Sequence, residues 1–205
     1  MKFSITHQER YSRSELLLRT FFGWIYIGIP HGFLLCLVGI WSIVLQFLTF
    51  WAILFTGKYP RSFFEYQLNY LHWNNRVNAR MLNLVDGYPG FGLNRIDNKT
   101  ELEIEYPEST DRVLVLARFF FGWLYVLIPH GFILYFRAIA MLILCFLAFW
   151  VVLFTGKYPQ SWHDFNVGTF RWSQRVYNYL YYMTDEYPPF TGKEVEEEIF
   201  EKRES

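Results

Sequence analysis

Cysteine is scarce in this sequence: Cys36 and Cys145 are the whole supply, and both fall inside apolar runs. They are not equivalent under the internal repeat described below, so a structural disulfide is not expected, and both read as small buried apolar fillers. Charge of neither sign predominates, with 19 basic and 19 acidic residues. That balance, with no basic stripe, removes the case for a nucleic-acid partner. The longer spans, about 33–56 and 132–155, hold no run of ionisable groups, and Arg137 in the second stands alone. A proton or ion pathway normally needs several such groups, which argues against a pump. No G-x-S-x-G, H-E-x-x-H, phosphate loop or dinucleotide fingerprint occurs, so no familiar catalytic motif points to an enzyme. Met1 to Glu15 is polar and the run after it offers no small-residue cleavage site, so a cleavable signal peptide is not expected.

Aromatic side chains are abundant instead, at 22% of residues, more than one small core needs. Trp and Tyr in such numbers suit a membrane boundary, where an apolar ring with a polar tip sits well. The strongest feature is a duplication. Residues 19–91 align with 118–190 at a constant offset of 99, without a gap, and 33 of the 73 pairs are identical. The identical blocks (FFGW, IPHGF and FTGKYP) lie in or beside long apolar runs, so the repeated unit is a membrane module.

Each apolar run, 16–55 and 113–154, is broken at Pro-His-Gly. Forty-odd residues exceed the roughly 20 that one helical crossing requires, and Pro with Gly makes a turn plausible there. Each repeat therefore reads as a transmembrane helical hairpin, about 14–56 and about 113–155, with a re-entrant first arm as the rival. Identical FTGKYP boundaries imply identical surroundings, hence parallel repeats with an even number of crossings each. Lys and Arg gather before and after the hairpins (Arg10, Arg13, Lys58, Arg61; Arg112, Lys157) and avoid the PHGF turns. The positive-inside rule then places four spans with both termini cytoplasmic.

After Gly57-Lys58-Tyr59-Pro60 and its copy, residues about 60–85 and 159–184 show helical periodicity. Phe64, Leu71, Trp73 and Val77 share one arc, opposed by Glu65, Asn69, His72 and Arg76. That pattern reads as an amphipathic helix lying in the interface plane. The short alternating stretches Lys2–Ile5 and Leu102–Tyr106 suggest strands that pair across the repeats. The fold expected is all-α and integral to the membrane: repeats over 1–91 and 113–190, a polar linker over 92–112, and an acidic tail over 191–205.

His31 and His130 occupy equivalent turns and are the most tempting chemical pair. No Cys, Asp or Glu accompanies them within the turn, so no metal site and no cofactor is expected. Arg19 and Arg118 read as snorkelling toward headgroups, binding anionic lipid or pairing with a carboxylate. Arg76 and Arg175, each three residues after Trp73 and Trp172, suit anionic headgroups, as do Lys58 and Lys157. Asp86 and Asp185 read as braces for the closing turns.

The set LFTGKYP, W-x-x-R-V and DEYPPF resembles a family of bacterial membrane proteins catalogued as domain of unknown function 4389. It occurs once per repeat: Leu54–Pro60, Trp73–Val77 and Asp86–Phe91, then Leu153–Pro159, Trp172–Val176 and Asp185–Phe190. The second copy fits better, because DGYPGF departs from DEYPPF. The resemblance implies a bacterial inner-membrane location and this module, with no activity attached. The expected role is a non-enzymatic accessory, scaffold or membrane-shaping subunit that meets the lipid bilayer and forms a homo-oligomer or joins a larger complex. The alternatives are a small transporter or lipid-handling protein with a site between the repeats, and a membrane enzyme using His31 and His130.

Overall fold

The computed structural model describes residues 1–194 and is mostly helical. In chain order it has strand β1 (Lys2–Ile5), helix α1 (Arg13–Gly23), a π-helical turn (Trp24–Gly28), α2 (Ile29–Thr56) and α3 (Arg61–Met81). Strand β2 (Thr100–Glu103) follows, then α4 (Arg112–Gly122), a second π turn (Trp123–Leu127), α5 (Ile128–Thr155) and α6 (Gln160–Leu180). The glutamates of the expected tail beyond Glu194 lie outside the described residues.

The expected hairpins are absent. Arg13–Thr56 and Arg112–Thr155 are each one unbroken helix of 44 residues, long and apolar enough to cross a membrane. The physical reason lies just before each proline. A proline inside an α-helix loses one hydrogen bond and crowds the carbonyl four residues back. Here the π turn widens the helix ahead of Pro30, with Ile29 N–H bonding Trp24 O five residues back. The chain therefore passes the proline without turning. Ser12 and Asp111 cap the two starts. Gly57 and Gly156 end the helices at φ +73°, a conformation cheap only for glycine.

The long helices run antiparallel to one another, not parallel as the identical boundaries suggested. Phe21 packs on Phe149 and Phe50 on Phe119. At the ends Tyr11 N donates to Gly156 O, and Thr110 N to Gly57 O. Each short helix folds back on its own long helix, α3 through Ser42–Gln67 and Trp73–His31 contacts, α6 through Trp172–His130. The short helices meet each other where Gln174 Nε2 donates to Asn75 Oδ1. The two strands pair antiparallel with Phe3 opposite Leu102. Phe3 and Leu102 are equivalent positions, as are Asn75 and Gln174. A local two-fold therefore passes through the sheet, between the short helices, and between the long helices near residues 35 and 134.

Three layers result along that axis: sheet and loops, then α3 with α6, then the long helices. This corrects the expectation that α3 and α6 lie on a bilayer surface. They form the buried middle layer: Trp73 and Trp172 meet the histidines of the long helices, Arg76 and Arg171 bond the loops and the sheet, and Leu71 and Val167 are covered as well. Arg76 of the polar arc, expected at headgroups, instead meets the loop layer. The main core gathers Phe3, Ile5, Phe50, Ile53, Phe64, Leu102, Val152 and Val167, joining both repeats. Cys36 is exposed on the outer side of α2 and Cys145 is half-buried, so only the latter acts as filler.

Candidate functional site

In each repeat the motif tryptophan, tyrosine and phenylalanine converge on the histidine. Pro30 has no N–H to give, so the Tyr26 carbonyl is released, and the Tyr88 hydroxyl donates to it at 3.2 Å. The same hydroxyl lies 3.1 Å from His31 Nε2, and Trp73 Nε1 donates to His31 Nδ1 at 2.9 Å. An indole N–H can only donate, so Nδ1 accepts and the imidazole proton is on Nε2. All directions follow: Trp73 to His31, His31 to Tyr88, Tyr88 to the Tyr26 carbonyl. Phe91 stacks on the imidazole at 3.9 Å with the rings parallel, and His31 is wholly buried.

The second repeat builds the same lock. Tyr187 donates to Tyr125 O at 2.9 Å and sits 3.1 Å from His130 Nε2; Trp172 donates to Nδ1 at 3.0 Å; Phe190 stacks at 4.0 Å. His31 and His130 are thus enclosed separately, each by its own Trp, Tyr and Phe, with both ring nitrogens engaged. They do not form a joint site. Among the described residues no group of three His, Cys, Asp or Glu side chains could hold a metal ion.

Arg19 and Arg118 do not snorkel; both are buried. Arg19 Nη2 reaches Asp86 Oδ1 at 2.6 Å, with Nη1 on Glu15 and the Val85 carbonyl and Nε on Asn83. Arg118 pairs with Asp185 at 2.6 Å, bonds the Tyr179 and Thr184 carbonyls, and lies over the Tyr179 ring. The carboxylates also accept the backbone N–H of Ser12 and Asp111, which ties each long helix start to its closing turn.

Arg76 and Arg175 are buried too. Arg76 bonds the carbonyls of Gly92 and Arg95, and Arg175 those of Thr191 and Lys193. One helical turn after its tryptophan, each arginine therefore holds the loop that carries the lock's Tyr and Phe. Lys58 and Lys157 remain exposed at the helix ends. Arg13 lies beside Gly156, and Arg112 beside Gly57. Each end of the long-helix layer thus carries one lysine with one arginine.

Sequence reasoning did not find the tyrosine and phenylalanine partners of the histidines. The signal was present: Tyr26, Pro30, His31, Trp73, Arg76, Asp86, Tyr88 and Phe91 are all identical in the two copies. It also missed Asp97, which receives Arg80 Nη2 at 2.9 Å. Burial pushes the Asp97 pKa up, but the hydrogen bond and charge of Arg80 outweigh this and hold it below the usual carboxylate range. Burial, reinforced by nearby His7, pushes the His163 pKa down to about 4. His163 Nε2 donates to the Leu84 carbonyl at 3.2 Å. A polar cleft of about 600 Å³ beside it is lined by His7, Arg137, His163, Asp164 and Arg171 among others.

The outer side of the long helices is predominantly apolar. Phe21, Trp24, Phe33, Trp41, Phe47 and Phe55 stand exposed along the first, and Phe120, Trp123, Phe132, Phe146 and Phe154 along the second. The inward stripe holds the polar and small groups: Arg19, Gly23, His31, Ser42 and Thr49. A soluble protein arranges these the other way round.

The fold and its surface thus define a helical protein with two apolar helices of membrane-crossing length. Residues 115–192 match the family model described as Domain of unknown function (DUF4389), so the second repeat carries that domain. No curated protein and no solved structure matches the chain.

Proposed function

We propose that this chain is a non-enzymatic membrane protein that embeds its two long helices in one leaflet and works as a scaffold or membrane-shaping element. The observation that carries the reading is the position of the sheet. The local two-fold runs through it and through the midpoints of the long helices. If those helices crossed a bilayer, β1 and β2 would lie level with its centre, with Lys2, Glu101 and Glu103 beside them. Open strand edges and charged groups are not tolerated against lipid there. Laid in the plane, the same helices place their exposed aromatic and aliphatic side chains on one side and the sheet on the other.

Length agrees. Leu17 to Phe55 spans about 57 Å of helix, nearly twice a bilayer core of about 30 Å. In-plane seating also restores what the identical FTGKYP boundaries demanded, since both Gly-Lys-Tyr-Pro ends then face the same compartment. Lys58 with Arg112, and Lys157 with Arg13, would meet anionic headgroups from the two ends, at about 1 kcal/mol per cation. An apolar slab inserted into one leaflet expands that leaflet alone, which favours curvature. A bacterial inner-membrane location, both termini on the cytoplasmic side and self-association belong to this proposal. The enzyme alternative has less support, because both nitrogens of His31 and His130 are already occupied.

The test is cysteine accessibility in sealed vesicles of the full chain, with Cys36 and Cys145 replaced by alanine. Single cysteines at Lys58, Lys157 and Ile40 are probed with a membrane-impermeant maleimide from each side. We expect Lys58→Cys and Lys157→Cys to label from the same side, and Ile40→Cys from neither. Labelling of 58 and 157 from opposite sides would mean that the helices cross, and would overturn the proposal. Vesicle shape unchanged by the reconstituted protein would remove the membrane-shaping role.

A further inference from the structure

The two-fold is broken near α1 on the apolar side. A cleft of about 530 Å³ opens there between α1 and α5, lined by Leu17, Thr20, Phe21, Phe146, Phe149 and Trp150 among others, with Met81, Leu82 and Asn83 at its inner end. At the equivalent place in the other half, the counterpart of Thr20 is Phe119 and that of Asn83 is Tyr182. Phe119 stacks on Phe50 at 4.4 Å, and Tyr182 packs against the same ring at 6.4 Å. Phe50 is consequently buried, whereas its counterpart Phe149 is only half-buried. Two small side chains on one side, in place of two large ones, leave the space.

We infer that this cleft binds one acyl chain of a membrane phospholipid. The inference rests on the one-leaflet reading above, because the cleft opens among Phe21, Phe146 and Trp150, which that reading places in lipid. Its volume falls within the usual range for a small-molecule pocket, and its walls are apolar with a narrow polar end. That end holds Thr20 and Asn83, joined by a 3.2 Å hydrogen bond from Asn83 Nδ2 to Thr20 Oγ1. Among the described residues that line it none is a cation, and Arg19 nearby is spent on Glu15, Asn83, Val85 and Asp86. A neutral chain, rather than a free fatty acid, is the fitting occupant.

The experiment uses the full chain reconstituted in vesicles containing a phosphatidylcholine with a terminal diazirine on one acyl chain. After photolysis, labelled peptides are mapped by mass spectrometry. We expect labelling concentrated on 146–153 and 81–83, exceeding that of the equivalent 47–54 and 180–182. Thr20→Phe, which gives Phe149 the stacking partner that Phe50 already has, is expected to abolish the excess while leaving labels near Phe33 and Phe132 unchanged. Phe119→Thr is expected to open the second cleft and raise labelling at 47–54, which keeps the idea testable if Thr20→Phe misfolds. Equal labelling of the two halves in the unmodified chain, or an excess that survives Thr20→Phe, overturns the site. No labelling of either long helix, Phe33 and Phe132 included, would instead refute the one-leaflet reading on which the site depends.

Discussion

Replacing Tyr88 by phenylalanine removes one oxygen and disconnects two groups. His31 Nε2–H loses its acceptor in a wholly buried position, and the Tyr26 carbonyl loses the donor that compensates for Pro30. An orphaned buried polar group costs about 1–3 kcal/mol. The histidine should bear a full share and the carbonyl a smaller one, because Tyr88 lies near the surface. A loss of about 2–4 kcal/mol is therefore expected for Tyr88→Phe. The proline supplies the decisive control. Pro30→Ala restores a backbone N–H that can bond the Tyr26 carbonyl as the π turn relaxes, so Tyr88→Phe should cost less in that background. The coupling should be about 1 kcal/mol, read from a double-mutant cycle of detergent-driven unfolding followed by tryptophan fluorescence. Costs that add to within about 0.5 kcal/mol would refute the view that Tyr88 serves the proline. The same cycle with Tyr187→Phe and Pro129→Ala offers an independent repetition.

The pH response should centre on His163. Its folded pKa of about 4 lies below the ordinary 6.5, so the unfolded chain binds the proton more readily. Stability is then complete above about pH 6.5 and falls as pH drops toward 4, by up to about 3 kcal/mol. His163→Phe, which copies Phe64 of the first repeat, should flatten unfolding midpoints measured between pH 4 and 7; an unchanged slope would exonerate this histidine. Arg19→Gln should strand a buried Asp86 and cost about 3–5 kcal/mol, whereas Arg118→Gln should cost less, because Asp185 is a third exposed; equal losses in unfolding titrations would contradict that ranking. Gly57→Ala should lose about 1–2 kcal/mol through its left-handed backbone, and a neutral midpoint shift would show that the helix end has adjusted.

What the sequence disclosed was local chemistry together with its repetition. The pairing of Phe3 with Leu102 was readable because alternation and the 99-residue offset agreed. Helix ends at Gly57 and Gly156 were readable from Gly-Lys-Tyr-Pro. The hairpins were misread because Pro-His-Gly was weighed as a turn signal alone. A proline stops a helix only when its lost hydrogen bond has no substitute, and the substitute here is a hydroxyl 58 residues away in sequence (Tyr88 for Pro30). Sequence position aims Arg19 and Arg76 at headgroups, with a carboxylate as the alternative for Arg19. Their partners, Asp86 and the 90–95 loop carbonyls, arrive through tertiary folding that local periodicity does not encode. The amphipathic pattern of α3 was correct, but an arc of Trp, Asn and Arg fits a buried layer between two others as well as it fits a lipid interface.

The duplication carries a further consequence. Residues identical in both copies include outward aromatics such as Phe21, Trp24, Phe33 and Phe47, and also the contacts of the histidine lock, the Arg–Asp brace and the helix ends. Such contacts are needed once per repeat and gain nothing from being different. The differences include Thr20 against Phe119, Asn83 against Tyr182, Phe64 against His163 and Val38 against Arg137. A perfect two-fold would give two equal clefts and no distinguished end. By filling one cleft with Phe119 and leaving the other open at Thr20, the chain acquires a polarity along its long-helix layer that its backbone symmetry lacks. Asn83 and Tyr182 share the same left-handed backbone, at φ 55° and 61°, so this polarity required no rebuilding of the fold. Side-chain volume at two positions on one rigid frame is sufficient to create it.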